Sequence, residues 1–219
     1  QDENFIAQEV AKYPKLLESL PAKDSGVRYR LEGYLFPATY TIKESTTIES
    51  LIDEMLATMD KNLSPHYATI KEKNLTVNEL LTIASLVEKE GAKTEDRKLI
   101  AGVFYNRLNL GIPLQSNIAI LYAEGKLGQK ISLADDVAID TAIDSPYNVY
   151  KNIGLMPGPV DSPSLDAIES SINQTKSDNL FFVANVQDGK VYFAATKEEH
   201  DKNVEEHINS KLKQSNNAN

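Results

Sequence analysis

The chain has no cysteine among its 219 residues, so neither a disulfide framework nor thiolate chemistry is open to it. That absence suits a reducing cytosol and an exported Gram-positive protein alike. It has no block of basic residues either. The net charge is −9 and the acidity is spread along the chain, which disfavours a nucleic-acid partner because phosphate binding needs clustered positive charge. No apolar run approaches the roughly 20 residues that cross a bilayer, and no signal peptide is visible. The first residue is Gln1 and not Met, as expected of a piece of something longer in which a membrane anchor precedes this region. Metal-ligand spacing is also missing. His200 and His207 stand seven apart in a polar stretch with no H-E-x-x-H pattern, so no metal is expected. Neither a G-x-S-x-G elbow nor a phosphate-cradling glycine loop occurs, which leaves serine nucleophiles and nucleotide binding unsupported.

What is present suits a folded domain: 41% hydrophobic and 25% charged residues, and enough length to bury a core. Residues 4–20 pattern as helix, interrupted near Pro14. Residues 28–42, rich in Tyr, Leu and Phe around Gly33 and Pro37, pattern as an irregular or strand-like segment. A helix is predicted over 46–59, opened by a capping box of Thr46 and Glu49 and carrying the stripe Ile48, Leu51, Ile52, Met55 and Leu56. A second follows over 76–90, with the box Thr76 and Glu79, the stripe Val77, Leu80, Leu81, Ala84 and Val87, and Gly91 as its stop. A third runs from about Glu95 to Leu108. Residues 111–158 are punctuated by Gly, Pro, Asn and Asp, and predict long loops with short helical pieces. Ser162 and Pro163 are expected at the N-cap and first turn of another helix. A hairpin is predicted from Leu180–Val186 and Lys190–Ala195 around Asp188-Gly189, then a last helix over 198–213. The class is α+β, mostly helical, with a small antiparallel sheet. Residues 1–213 form one domain with a helical lead-in over 1–27, and 214–219 a disordered polar tail.

The odd chemical feature is a pair of glutamates closing an otherwise apolar helix, Glu88 and Glu90. Glu88 falls on the main apolar stripe, where Arg97, Arg107 or a backbone amide are candidate partners. Glu90 points off that stripe, toward the side of Ile83 and Leu86, and lies in the last turn, where unpaired carbonyls make the potential negative. That potential disfavours the carboxylate and predicts a raised pKa, which a carboxylic acid needs to protonate a glycosidic oxygen near neutral pH. A Glu-Lys-Glu at a helix end is, however, ordinarily solvated surface, and the pattern alone does not choose.

Five ordered segments do choose. Leu31-Glu-Gly-Tyr-Leu-Phe-Pro37 with Thr39-Tyr40, and Ala84-Ser-Leu-Val-Glu-Lys-Glu90, resemble elements of the MltG/YceG family of endolytic murein transglycosylases. So do Val103-Phe-Tyr-Asn-Arg-Leu108 with Gly111 and Leu114-Gln115-Ser116, the stretch Tyr147-Asn-Val-Tyr150 through Gly154-Leu155, Pro157-Gly158 and Ser162-Pro163, and Leu180-Phe-Phe-Val-Ala184. Together they cover roughly residues 31–205, and the detailed wording resembles streptococcal members. One departure is visible: Asn117-Ile118 stands where the family often has Asp-Pro, which puts one auxiliary role in doubt.

The resemblance implies cleavage of the MurNAc-β-1,4-GlcNAc bond within peptidoglycan strands, leaving 1,6-anhydroMurNAc ends, with Glu90 as acid and base. It implies no cofactor. Candidate sugar contacts are Glu32, Tyr40, Gln115, Ser116, Asn117, Tyr147, Asn148 and Tyr150; ordinary core packing is the competing reading for each Tyr, and pairing with Arg28 or Arg30 for Glu32. Glu88 and Arg107 are expected to support the site structurally. The resemblance further implies a LysM-like subdomain and a transmembrane helix preceding this region, a place at the extracellular face of the cell membrane, and wall-elongation proteins as partners. A hydrolytic muramidase with the same acid and a non-catalytic glycan-binding scaffold module are the alternatives.

Overall fold

The computed structural model describes residues 2–129, 139–185 and 189–210. Helices α1 (Glu3–Lys12) and α2 (Pro14–Leu17) form the lead-in, parted at Tyr13 because Pro14 cannot continue the hydrogen-bond ladder. Residues 18–47 carry turns but no strand, so the segment 28–42 is irregular. Then come α3 (Ile48–Leu63), α4 (Tyr67–Glu72), α5 (Val77–Glu90), α6 (Thr94–Leu110), α7 (Asn117–Ala123) and α8 (Leu165–Ile172). Strands β1 (Phe181–Asn185) and β2 (Lys190–Ala194) pair antiparallel, Phe181 opposite Ala194, and α9 (Lys197–Val204) passes into a π-helical turn at Glu205–Asn209. The α+β reading stands. The expected hairpin turn lies partly outside the described residues, with Gly189 at φ +66 and Asp188 beyond them. The tail 214–219 and the end of the last helix are outside them too. No helix among the described residues is long and apolar enough to cross a membrane.

Three helix-end expectations shift. The capping box of α3 is Thr47 with Ser50, not Thr46 with Glu49, because Thr46 is committed one turn earlier and accepts from the Lys43 N–H at 2.9 Å. The N-cap of α8 is Ser164, two residues past Ser162, and its hydroxyl accepts from the Ala167 N–H. Gly91 ends α5 in extended backbone (φ −118). It is needed there for space, since a Cβ would stand 2.8 Å from Arg97 Cγ. The box of Thr76 with Glu79 on α5 is as expected.

α5 is the axis of the molecule. Its Val77, Leu80, Leu81 and Ala84 enter one apolar cluster with α1, α2, α3 and α8. Ile83, Leu86 and Val87 enter a second, with α6, α7 and the loop 147–160. A helix buried all round in this way has no solvent face to spare until its last turn.

Polar side chains interrupt that burial at Asn78, Ser85 and Glu88, and each holds the same loop. The Asn78 amide donates to Pro157 O at 3.1 Å, the Ser85 hydroxyl accepts from Val160 N–H at 3.1 Å, and Glu88 accepts from Ser164 N–H at 3.0 Å. Seven and then three residues apart, about two turns and one turn, this row lies along one side of α5 and lashes residues 157–164 to it.

Candidate active site

Glu90 is partly buried at the end of α5, on the side of Ile83 and Leu86, where α7 packs. Its Oε1 accepts the Ser116 hydroxyl at 2.8 Å. Ser116 is the residue preceding α7, yet its side chain makes no capping bond and turns to Glu90. At 2% exposure it is placed to hold the Glu90 carboxyl more than to meet a sugar. Ser116→Ala is expected to lower kcat about tenfold with KM little changed, and Ser116→Thr to restore most of it; a loss confined to KM in steady-state kinetics would return Ser116 to substrate contact.

The approach to Ser116 is built by Arg107. Its guanidinium, 5% exposed, donates to Leu180 O (2.6 Å), Pro113 O (2.7 Å) and Gln115 Oε1 (2.9 Å), tying α6, the hairpin and the 113–115 turn together. Gln115 sits at φ +57, backbone that an L residue adopts at a cost, and donates its N–H to Val149 O. Next to Ser116, Asn117 Oδ1 accepts the Tyr150 hydroxyl at 2.5 Å. Gln115, Asn117 and Tyr150 are thereby gathered around the residue that holds Glu90.

Glu88 is taken out of the chemistry by its partners. It pairs with Arg97 at 2.9 Å and accepts both the backbone N–H and the hydroxyl of Ser164, while Arg97 pairs with Asp166 at 2.6 Å and donates to Gly91 O. These bonds lock the ends of α5, α6 and α8 to one another. Of the expected partners both Arg97 and a backbone amide are engaged, while Arg107 is not among the partners of Glu88.

Between the two glutamates Lys89 points another way and pairs with Asp161 at 2.7 Å. Asp161 is within electrostatic reach of Glu32, and Gly33, beside Glu32, is pressed against Pro159. Glu32 accepts the hydroxyl of Tyr122, near the end of α7. Burial pushes its carboxyl above the ordinary value, the Tyr122 hydroxyl and Arg28 pull it back, and Asp161 adds to the rise. Arg28 lies over the Tyr122 ring at 4.6 Å and donates to Tyr122 O. Arg30, the other expected partner, pairs with Glu3 instead. A circuit of polar groups can thus be traced. Ser116 hydrogen-bonds Glu90, and α7 runs on to Tyr122, which hydrogen-bonds Glu32. Asp161, in electrostatic reach of Glu32, pairs with Lys89, the chain neighbour of Glu90. Ser116 and Tyr122 are six residues apart, so the α7 side of the circuit is about 9 Å long.

Three expected sugar contacts are engaged within the protein. Asn148 is 1% exposed, its amide donating to Thr141 O and Ile143 O and its Oδ1 accepting from Tyr150 N–H and Lys151 N–H; its hydrogen bonds go to folding the loop. Tyr147, 4% exposed, stacks on Tyr122 with ring centroids 4.7 Å apart and belongs to the core. Tyr40 donates its hydroxyl to Phe36 O, within its own loop. Tyr122, Asp161 and Lys89 were not singled out from the sequence; Tyr122 and Lys89 sit in a helical apolar run and a charged helix end that look like ordinary core and surface.

A cavity of about 500 Å³ lies at the opposite end of α5, among Asn74, Glu79, Tyr105, Asn109 and Gln174, and includes none of these residues. Among the described residues no three His, Cys, Asp or Glu are placed to hold a metal ion.

A family model described as the YceG-like family matches residues 3–206. A Streptococcus pneumoniae (serotype 2, strain D39) protein named endolytic murein transglycosylase is 85% identical over 212 residues, a match that covers 97% of this chain and 38% of that protein. A Bacillus subtilis (strain 168) protein of the same name is 38% identical over 211 residues, covering 96% of this chain and 57% of that protein. The chain therefore spans well under two-thirds of the length of these curated relatives. The crystal structure of a YceG-like protein from Listeria monocytogenes matches with a TM-score of 0.82 at 39% identity, over 92% of this chain and 64% of that one.

Proposed function

This chain belongs to the YceG-like family, and from that membership we propose that it is the catalytic part of an endolytic murein transglycosylase, with Glu90 as its single acid and base. The observation that carries the assignment is the placement of Glu90: a carboxyl at the negative end of a buried helix, gripped on one oxygen by a buried serine and lying on the circuit of polar groups just described.

Glu90 enters the cycle protonated. It donates to the glycosidic oxygen as the bond from MurNAc C1 to GlcNAc O4 breaks, and the carbonyl of the MurNAc 2-acetamido group stabilises the cationic carbon from the other side. The Glu90 carboxylate then takes the proton of the C6 hydroxyl while O6 attacks C1, closing the 1,6-anhydro ring and returning the acid to its starting form. No water is consumed. The Ser116 bond holds Oε1 and keeps the carboxyl from rotating between the two proton transfers. Asn117, Tyr150 and Gln115 are the groups best placed to bind hydroxyl and acetamido substituents. The substrate is nascent glycan at the outer face of the cell membrane, reached through an N-terminal anchor in the full-length protein, with wall-elongation proteins alongside.

The product decides between transglycosylation and hydrolysis. Digesting purified glycan strands with this chain is expected to give fragments ending in anhydroMurNAc, each one water lighter than a reducing end by mass spectrometry. Reducing ends alone would replace the reading with a hydrolytic muramidase using the same acid.

A further inference from the structure

We propose that Glu32 is the second carboxyl of the site and accepts the N–H of the acetamido group on the sugar whose C1 is attacked. The assignment rests on the transglycosylase reading and deepens it. Glu32 reaches the circuit independently of Glu90, through Tyr122 on one side and Asp161 on the other. Lys89 precedes Glu90 in α5 and leaves the helix about 100° round from it. Its pair with Asp161, whose backbone Gly33 abuts, holds the Glu32 segment at the same last turn of α5.

Asp161 and Glu32 are held differently. Asp161 is paired with Lys89, which offsets its charge. Glu32 has a neutral hydroxyl on Oε2, leaving Oε1 for substrate, and its nearest cation, Arg28, is turned onto the Tyr122 ring and the carbonyls of Tyr122 and Ala123. A tether between residues 28–36 and α7 requires no charge, since a glutamine would accept the same hydrogen bond without the penalty of burying a carboxylate. The charge has a use in the reaction. As the acetamido carbonyl oxygen bonds to C1 and the C1–O4 bond breaks with the proton from Glu90, positive charge appears on the acetamido nitrogen. A carboxylate accepting that N–H turns the carbonyl toward C1 and stabilises the cation. When O6 displaces the carbonyl oxygen from C1, its proton goes to Glu90 and the charge at nitrogen disappears, so Glu32 exchanges no proton at any step.

The groups facing Glu32 are Tyr122 and Tyr147, Arg28, Asp161 and, through Asp161, Lys89. The acid limb of the kcat profile therefore follows Glu32 ionisation: activity falls as pH drops through a pKa that burial has raised. The test compares Glu32→Gln and Tyr122→Phe with the unaltered chain on purified glycan strands, reading kcat, KM, pH profile and Tm. Glu32→Gln is expected to lose about 100-fold in kcat, keep KM within about twofold, remove the acid limb, and unfold no earlier than the parent because a buried charge is gone. Tyr122→Phe removes a donor that holds the Glu32 pKa down, and moves the limb to higher pH. Unchanged kcat in Glu32→Gln, a loss matched by a fall in Tm, or a limb that neither variant moves overturns the assignment. If Glu90→Gln is inactive and the parent yields anhydro ends while Glu32→Gln behaves as the parent, this assignment alone fails and the reaction stands.

Discussion

Glu90→Gln is expected to cut cleavage of purified glycan about 10³-fold while leaving the fold in place. The loss follows from the proton economy of the mechanism, in which one side chain both gives and takes the proton and no other acid is assigned that task; a positioned acid-base group contributes 10² to 10⁴. The fold is spared because an amide has the same shape as the carboxyl. Its oxygen can go on accepting the Ser116 hydroxyl now held at 2.8 Å. Thermal unfolding should fall within about 1 °C of the parent, and binding of glycan fragments should persist. Release of fragments from the Gln variant at the parental rate would leave the scaffold or another acid as the reading of the site. A variant that fails to fold would be uninformative only if taken alone, so Ser116→Ala, which disturbs the same carboxyl from the other side, is measured beside it.

The largest stability effect is expected at Gly33→Ala. Gly33 adopts φ +83, and a Cβ there would sit 2.3 Å from Pro159 Cγ and 2.4 Å from its Cβ. The left-handed backbone costs a non-glycine residue about 1–2 kcal/mol. Forcing the proline ring aside adds about 1–3 kcal/mol, since residues 157–164 are lashed to α5 and have little freedom to yield. The sum, about 2–5 kcal/mol, corresponds to a fall in Tm of roughly 4–20 °C for a chain of this size. Gly154→Ala is the control, because Gly154 adopts φ +96 with nothing within 4 Å of its would-be Cβ. It carries the backbone cost without the collision. Equal losses for the two variants in a calorimetric scan would mean that the packing of Gly33 on Pro159 contributes nothing. Activity should fall as well in Gly33→Ala, since the same contact holds the segment that carries Glu32.

Much of the helical frame was legible because its signals are local. The box of Thr76 and Glu79 and the apolar periodicity of α5 are short-range physics that neighbouring chains cannot cancel. The same locality explains the small errors. At Thr46, Thr47 and at Ser162, Ser164 two equivalent caps stand within two residues. The choice fell to a distant or preceding partner, Glu88 in one case and Lys43 in the other. The helical wheel also separated the two glutamates correctly in space, one toward Arg97 and one toward α7.

The sugar contacts were less legible. Asn148 and Asn117 are the same residue type in the same loop-rich region, yet one spends its amide on loop carbonyls and the other meets Tyr150 next to Ser116, the partner of Glu90. Tyr147 and Tyr150 differ as sharply, the first buried against Tyr122 and the second only partly covered. A three-residue spacing in a loop has no period from which to assign a face.

The sequence by itself determined where α3, α5 and α6 run, which of their residues form the apolar stripe, and which carboxyl stands at the end of α5. Hydrogen-bond spacing, capping and apolar periodicity act over a few residues and are written in the order of the chain. That Ser116 meets that carboxyl, Tyr122 meets Glu32 and Asp161 meets Lys89 was decided by tertiary structure alone. Ser116, Tyr122, Glu32 and Asp161 come from segments up to 129 residues apart, and what brings them together is the packing of α7 and the 157–164 loop against α5, a matter of shape that no local pattern encodes.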